Sequence, residues 1–204
     1  MSPHRASPTT EHAPPGPAGK PRLTDRLFFC LFPSAPACDA IATEAEALRL
    51  EYGLTGLPLK PSHLHMTLHH LGDHPELRQD IVDKALTAAR RVEMPAFEVV
   101  LSSACSFSSR GSSHPCVLLC PEERPPVYRL WRELSNQLMG VGLGRYPERD
   151  FTPHVTFLHD HHVLAPESIT SIRWDVGEFS LIHSLLGRGE YRTLGSWQLR
   201  GPRI

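Results

Sequence analysis

The chain has 204 residues, 40% of them hydrophobic and 21% charged, which suits one water-soluble globular domain with a sizeable core. Its formal net charge of -1 excludes a strong basic field that could grip long nucleic acid, so a nucleic-acid ligand has to be held locally, at an end or over a few nucleotides. No apolar run approaches the roughly 20 residues that span a bilayer and the N-terminus lacks the apolar centre of a secretory signal, so a cytoplasmic protein without membrane contact is expected.

Residues 1–21 are mostly Pro, Ser, Thr, Gly and Ala. They have too little apolar surface to offset the entropy of ordering, and a disordered Pro-rich tail is expected there, with one domain over 22–204. Leu27-Phe28-Phe29-Cys30-Leu31-Phe32 is a short apolar run stopped by Pro33 and reads as a buried strand. Pro36 opens a helix with Ile41, Ala45 and Leu48 on its apolar stripe, broken by Gly53, Gly56 and Pro58. Leu64-His65-Met66-Thr67-Leu68 alternates as a strand, with Leu64, Met66 and Leu68 on its inner face. Asp73 and Pro75 have the form of a helix start, followed by Leu77, Ile81, Ala85, Ala88 and Val92 at helical spacing.

Phe97–Leu101 and Val117–Cys120 read as strands joined through the Ser- and Gly-rich stretch 108–113. Val127, Leu130, Leu134, Leu138 and Val141 form a second helical stripe, ended by Gly140, Gly142 and Gly144. Further strands are expected over Phe151–Leu158, Ile172–Val176, Phe179–Leu185, Tyr191–Leu194 and Trp197–Leu199. Strands come both singly between helices and in consecutive sets, which favours an α+β fold with antiparallel sheets over a doubly wound parallel sheet. No glycine-rich phosphate loop follows the first strand. The five cysteines, Cys30, Cys38, Cys105, Cys116 and Cys120, are odd in number, lack a framework spacing, and read as reduced thiols.

One small pattern occurs twice. His65-Met66-Thr67-Leu68 and His154-Val155-Thr156-Phe157 share the order His, apolar, Thr, apolar, each in a predicted strand. Residues two apart on a strand face the same way, so each strand aims a His and a Thr at one side and anchors itself with the other. Opening a cyclic phosphodiester needs a base for the attacking water and an acid for the leaving oxygen, on opposite sides of phosphorus. Imidazoles titrate near neutrality and can take both roles, while two Thr hydroxyls can hold the non-bridging oxygens. A single His-x-Thr in a chain with 13 His means little; two on two strands with apolar flanks carry weight.

Leu64-His65-Met66-Thr67-Leu68 with Leu71-Gly72, and Phe151-Thr152-Pro153-His154-Val155-Thr156, resemble the two signatures of the 2H phosphoesterase superfamily. Arg26–Phe29 and the stretch from Phe179 to Trp197 resemble its RNA 2',3'-cyclic phosphodiesterase branch, long labelled 2'-5' RNA ligases. The resemblance covers about residues 22–199. It implies a two-lobed α+β fold with pseudo-twofold symmetry, antiparallel sheets with flanking helices, and a cleft between the lobes. It implies hydrolysis of a terminal 2',3'-cyclic phosphate to a 2'-phosphate without metal or cofactor, with weak 2'-5' ligation as a reverse reaction. His65 and His154 are implied as the acid and base pair, in that order, and Thr67 and Thr156 as phosphate ligands. Two positions depart from the family pattern: His70 stands where some relatives carry an aromatic residue beside the base, and His159 where some carry an Arg near the phosphate. Both are candidate nucleotide contacts.

Other readings compete. His63, His65, His69 and His70 cluster, as do His159, His161 and His162, and His63 and His65 on one strand face could reach a metal. No carboxylate at a ligand spacing, HExxH pattern or adjacent Cys accompanies them, and no metal site is expected. His161 and His162 read as a solvated turn, and His183 as a partly buried strand residue. An alternative substrate within the same chemistry is another small cyclic nucleotide or a 2'-5' linked oligonucleotide. A non-catalytic RNA-end binder is the alternative outside enzymes, against which stands the presence of both His and both Thr. RNA ends or small cyclic nucleotides are the expected partners, and a monomer the expected state.

Overall fold

Leu27, Phe29 and Leu31 are fully buried, and their period-two spacing makes Asp25–Leu31 a strand, β1. The structure, a computed structural model, describes residues 22–109, 111–120 and 125–200; the Pro-rich tail expected over 1–21 lies outside them. After β1 come α1 (Ala35–Glu51), a 3-10 turn (Pro61–His63), β2 (Met66–His74), α2 (Gln79–Ala89), β3 (Phe97–Ser106), β4 (His114–Leu119), α3 (Pro126–Gly140), β5 (His154–Asp160), β6 (Glu167–Val176), β7 (Glu178–Leu185) and β8 (Glu190–Gln198). The fold is α+β, as the element order implies.

Two four-stranded antiparallel sheets form, in the orders β2-β1-β7-β8 and β5-β4-β3-β6. Their layouts match. In each, a strand bearing a His-x-Thr motif lies at one edge and pairs with the strand before it in the chain, from which a helix separates it. Ser34 caps α1 by accepting from the Ala37 amide, and the buried Ile41, Ala45 and Leu48 turn its stripe toward β5 and β6. The helices α2 and α3 pack on each other; α2 buries Ile81, Ala85 and Ala88, and α3 buries Leu130, Leu134 and Leu138.

The structure departs from the sequence reading in several places. Asp73 and Pro75 do not start a helix: β2 runs on to His74, and α2 begins at Gln79. Asp73 is taken up instead by Arg26 on the neighbouring strand, a partner 47 residues away. His63 belongs to the 3-10 turn rather than to a strand face shared with His65. Phe151–Pro153 stay outside β5, and Tyr191–Leu194 with Trp197 lie on one continuous strand, β8. His183 is more deeply buried than expected, with its Nε2 2.6 Å from Asp25.

The link between α1 and β2 crosses the edge of the second sheet. Leu59 N–H donates to the Phe157 carbonyl at 2.7 Å, and the amides of Thr55 and Gly56 both donate to Oδ2 of Asp160, the last residue of β5. The other carboxylate oxygen accepts from the His162 amide and ring. Gly56 is required here, because a Cβ would collide with the His159 carbonyl. Burial alone would push the Asp160 carboxyl up, but the amides of His162, Gly56 and Thr55 outweigh it and hold the group well below the usual carboxylate range.

Asp160→Asn removes the charge and one acceptor and is expected to cost about 2–3 kcal/mol of stability at pH 7, measured by urea unfolding. A depressed native carboxyl stabilises above its unfolded value and loses that contribution as pH falls, so the gap between wild type and variant should narrow below about pH 4.

Candidate active site

In β2 the residues Met66, Leu68 and Leu71 are buried, and so is His69. Two buried residues in a row, Leu68 and His69, break the alternation. The pairing with β1 shifts at the same point: Cys30 faces Thr67, but Phe29 faces His69. In β5 the buried pair is Phe157 and Leu158, and the register with β4 slips between Cys116 and Val117. Each motif strand thus carries a β-bulge directly after its Thr. A bulge resets which residues share a face. His65, Thr67 and His70 end on one side of β2, and His154, Thr156 and His159 on the corresponding side of β5.

The two motif imidazoles are held in the same way. His65 Nδ1 donates to the His63 carbonyl at 2.7 Å, and His154 Nδ1 donates to the Thr152 carbonyl at 2.7 Å. A carbonyl can only accept, so the proton sits on Nδ1 in both neutral rings, and no group among the described residues takes up either Nε2. Aromatic rings pack against both imidazoles. Phe28 and Tyr191 lie 5.0 Å and 5.7 Å from His65, and Phe107 lies edge-on to His154 at 4.8 Å. Burial pushes both imidazoles below their ordinary value, opposed in each case by the backbone carbonyl. A charge on His154 depresses His65 further, whereas the carboxylate of Glu148 raises His154.

A cavity of about 430 Å³ opens between the two sheets. Thr67, His69 and His70 wall it on one side, and Phe107, Glu148, Asp150, Phe151 and His154 on the other, with Trp131 of α3 between. Of the six residues singled out by sequence, Thr67, His70 and His154 line it. His65, the residue directly before β2, is not among its lining residues. Thr156 is half-buried and outside its walls, and His159 is exposed and outside them too.

Several partners in this region have no motif of their own. Arg26 grips Asp73 with both arms of its fork, Nε to Oδ1 at 2.7 Å and Nη2 to Oδ2 at 2.8 Å, and His70 Nε2 meets the same Oδ1 at 3.0 Å. The Arg26 guanidinium, with help from His70, holds the Asp73 carboxyl down at about 2. His69 stacks on Trp131 and donates Nε2–H to its carbonyl at 2.9 Å, while Trp131 stacks on Phe151 at 5.4 Å. That stack fixes the back wall. Among the described residues no group of three or more His, Cys, Asp or Glu is placed to hold a metal ion, the five cysteines form no disulfide, and no helix is long and apolar enough to cross a membrane.

The family model of the 2'-5' RNA ligase superfamily matches residues 37–188, most of the chain and both motif strands. The chain belongs to this superfamily. Membership makes it a phosphoesterase of the two-histidine type that its motifs resemble. A Thermus thermophilus protein named RNA 2',3'-cyclic phosphodiesterase is 28% identical over 187 residues, covering 86% of this chain and 91% of its own. Among solved structures, one of a Thermus thermophilus protein superposes with a TM-score of 0.68 at 24% identity, over 86% of this chain and 98% of that one. E. coli LigT complexed with phosphate gives 0.61 at 26% identity, over 88% and 100%.

An NMR titration should find the His65 and His154 imidazoles charging only below pH 6.5, and His69, which burial pushes down to about 4, neutral throughout the range from pH 5 to 8. In His154→Ala the His65 midpoint should rise, because the charge that opposes its protonation is gone.

Proposed function

We propose that the protein hydrolyses the 2',3'-cyclic phosphate at the end of an RNA to a 2'-phosphate, with His65 and His154 as the acid and base pair and Thr67 and Thr156 as ligands of the phosphate oxygens. The observation that carries this reading is the matched tethering of the two rings, each with Nδ1 held by the carbonyl two residues back and Nε2 left unengaged among the described residues. Water oxygen attacks phosphorus while one Nε2 takes its proton; the P–O3' bond breaks and the other Nε2 protonates the departing O3'. Further support comes from the 28% identical relative named for this reaction and from the phosphate complex of E. coli LigT. The net charge of -1 favours short ends over long duplexes, and no step calls on a metal.

The resemblance gives His65 the acid role and His154 the base role. In the free protein, Glu148 draws the shared proton toward His154, while Arg26 and His63 repel it from His65. Burial, the largest influence, depresses both rings, and a charge on His154 also acts on His65, so the two imidazoles are to be treated as a pair.

With EDTA present, a short RNA ending in a 2',3'-cyclic phosphate should be converted to the 2'-phosphate; no turnover, or turnover only with added metal, would overturn the reading. His65→Ala and His154→Ala should each lose about 10²–10⁴-fold in kcat, and Thr67→Val or Thr156→Val about 10²-fold. Because both imidazoles are depressed, kcat/KM should be bell-shaped in pH with its maximum on the acid side of 6.5, falling above pH 7 as the last proton is lost. A substrate with sulfur at the 3' bridging position, whose leaving group needs no proton, should rescue His65→Ala and not His154→Ala.

A further inference from the structure

The cavity beside His154 and Thr67 carries groups that the proposed phosphate chemistry does not use. Glu148 and Asp150, on the segment leading into β5, line it together with Phe107, Phe151 and Trp131. Neither carboxylate has a hydrogen-bond donor or a cation as partner among the described residues, unlike Asp73 and Asp160, whose oxygens are fully engaged. Glu148 nevertheless acts on the motif, raising His154 against the effect of burial. Both side chains are exposed, so a ligand in this space can reach them as hydrogen-bond acceptors. Its volume of about 430 Å³ falls in the range of small-ligand sites, which is roughly 300–1,000 Å³.

We propose that this cavity takes the terminal nucleobase of the substrate and that Glu148 and Asp150 make it select guanine. The inference rests on the reaction assigned to His65 and His154. A cyclic phosphate is fused to the ribose, so its base has to settle next to the phosphate site, and the cavity with Thr67 and His154 at one end adjoins it. Phe107 and Phe151 line it, and aromatic side chains are what unstacked RNA bases pack against. Carboxylate oxygens only accept hydrogen bonds. Guanine alone presents two adjacent donors on its Watson–Crick edge, N1–H and N2–H, which one carboxylate can accept side by side. Adenine and cytosine place a ring-nitrogen acceptor beside their amino group, and uracil flanks its one N–H with two carbonyls, so each sets a lone pair against a carboxylate oxygen.

The test compares kcat/KM for the 2',3'-cyclic phosphates of guanosine, adenosine, cytidine, uridine and inosine, with EDTA present. Guanosine should exceed uridine by at least about 10-fold, and inosine, which lacks only the N2 amino group, should fall well below guanosine. In Glu148→Gln with Asp150→Asn the guanosine-to-uridine ratio should collapse toward one, whatever happens to turnover in common. If that variant fails to fold or turn over, the wild-type guanosine-to-inosine ratio, and inhibition by guanosine 2'-phosphate against inosine 2'-phosphate, decide alone. Equal rates, or a preference for uridine, would overturn the base assignment and leave the reaction standing. Hydrolysis of none of the five, nor of a short RNA with a cyclic phosphate end, would overturn the reaction and this inference with it.

Discussion

One buried carboxylate holds the two motif strands in their relative positions. Asp160 closes β5 and gathers the amides of Thr55 and Gly56 from the link that leads into β2, while Leu59 bonds to Phe157 beside it. The link has come from α1, which packs on the second sheet, and goes on to the edge of the first. Without this clamp β5 would present an open edge, and the start of β2 would be held against it only by the direct packing of the two strands. The chain reaches the first motif only after it has been fastened to the second, so the distance between the two imidazoles is set by hydrogen bonds rather than by loop flexibility.

Within each strand the geometry depends on the bulge behind the Thr. It doubles the buried residues, Leu68 with His69 and Phe157 with Leu158, and turns His70 and His159 back to the motif side. The two positions are equivalent by strand but not by surroundings. His70 is tied to Asp73 and lines the cavity, whereas His159 is exposed and lends its carbonyl to the close approach of Gly56. The halves of the molecule therefore share a motif and a bulge while differing in what they offer a ligand.

Strand period and helix period made much of this legible in the sequence. Leu64, Met66 and Leu68 alternate, so the orientation of His65 and Thr67 follows from local pattern; the stripes of α1 and α3 follow equally from Ile41, Ala45 and Leu48 and from Leu130, Leu134 and Leu138. What depends on distant partners was not legible. Asp73 ahead of Pro75 has the local form of a helix start, and only Arg26 across the sheet makes it part of a strand. Phe151–Pro153 look strand-like, but Pro153 has no amide to donate and the Thr152 carbonyl is spent on His154. Gly195 interrupts the apolar pattern near the C-terminus, yet β8 continues through it because the Trp197 ring lies where a side chain would stand. Gly56 and Asp160 are 104 residues apart, and neither carries any local signal of the other.

The tether on each Nδ1 also decides how the pair returns to its starting state. A two-imidazole hydrolysis leaves one ring with a proton too many and the other with one too few. Many histidines exchange through the nitrogen away from the reaction, along a chain of waters or side chains behind the ring. Here that nitrogen is committed to a backbone carbonyl in both rings. With the rear route closed, the proposed mechanism would have each imidazole recover through the same Nε2 that serves the chemistry. In the proposed reaction, departure of the product and recovery of the protons would then form one ordered sequence, with solvent entering the emptied cleft as the carrier.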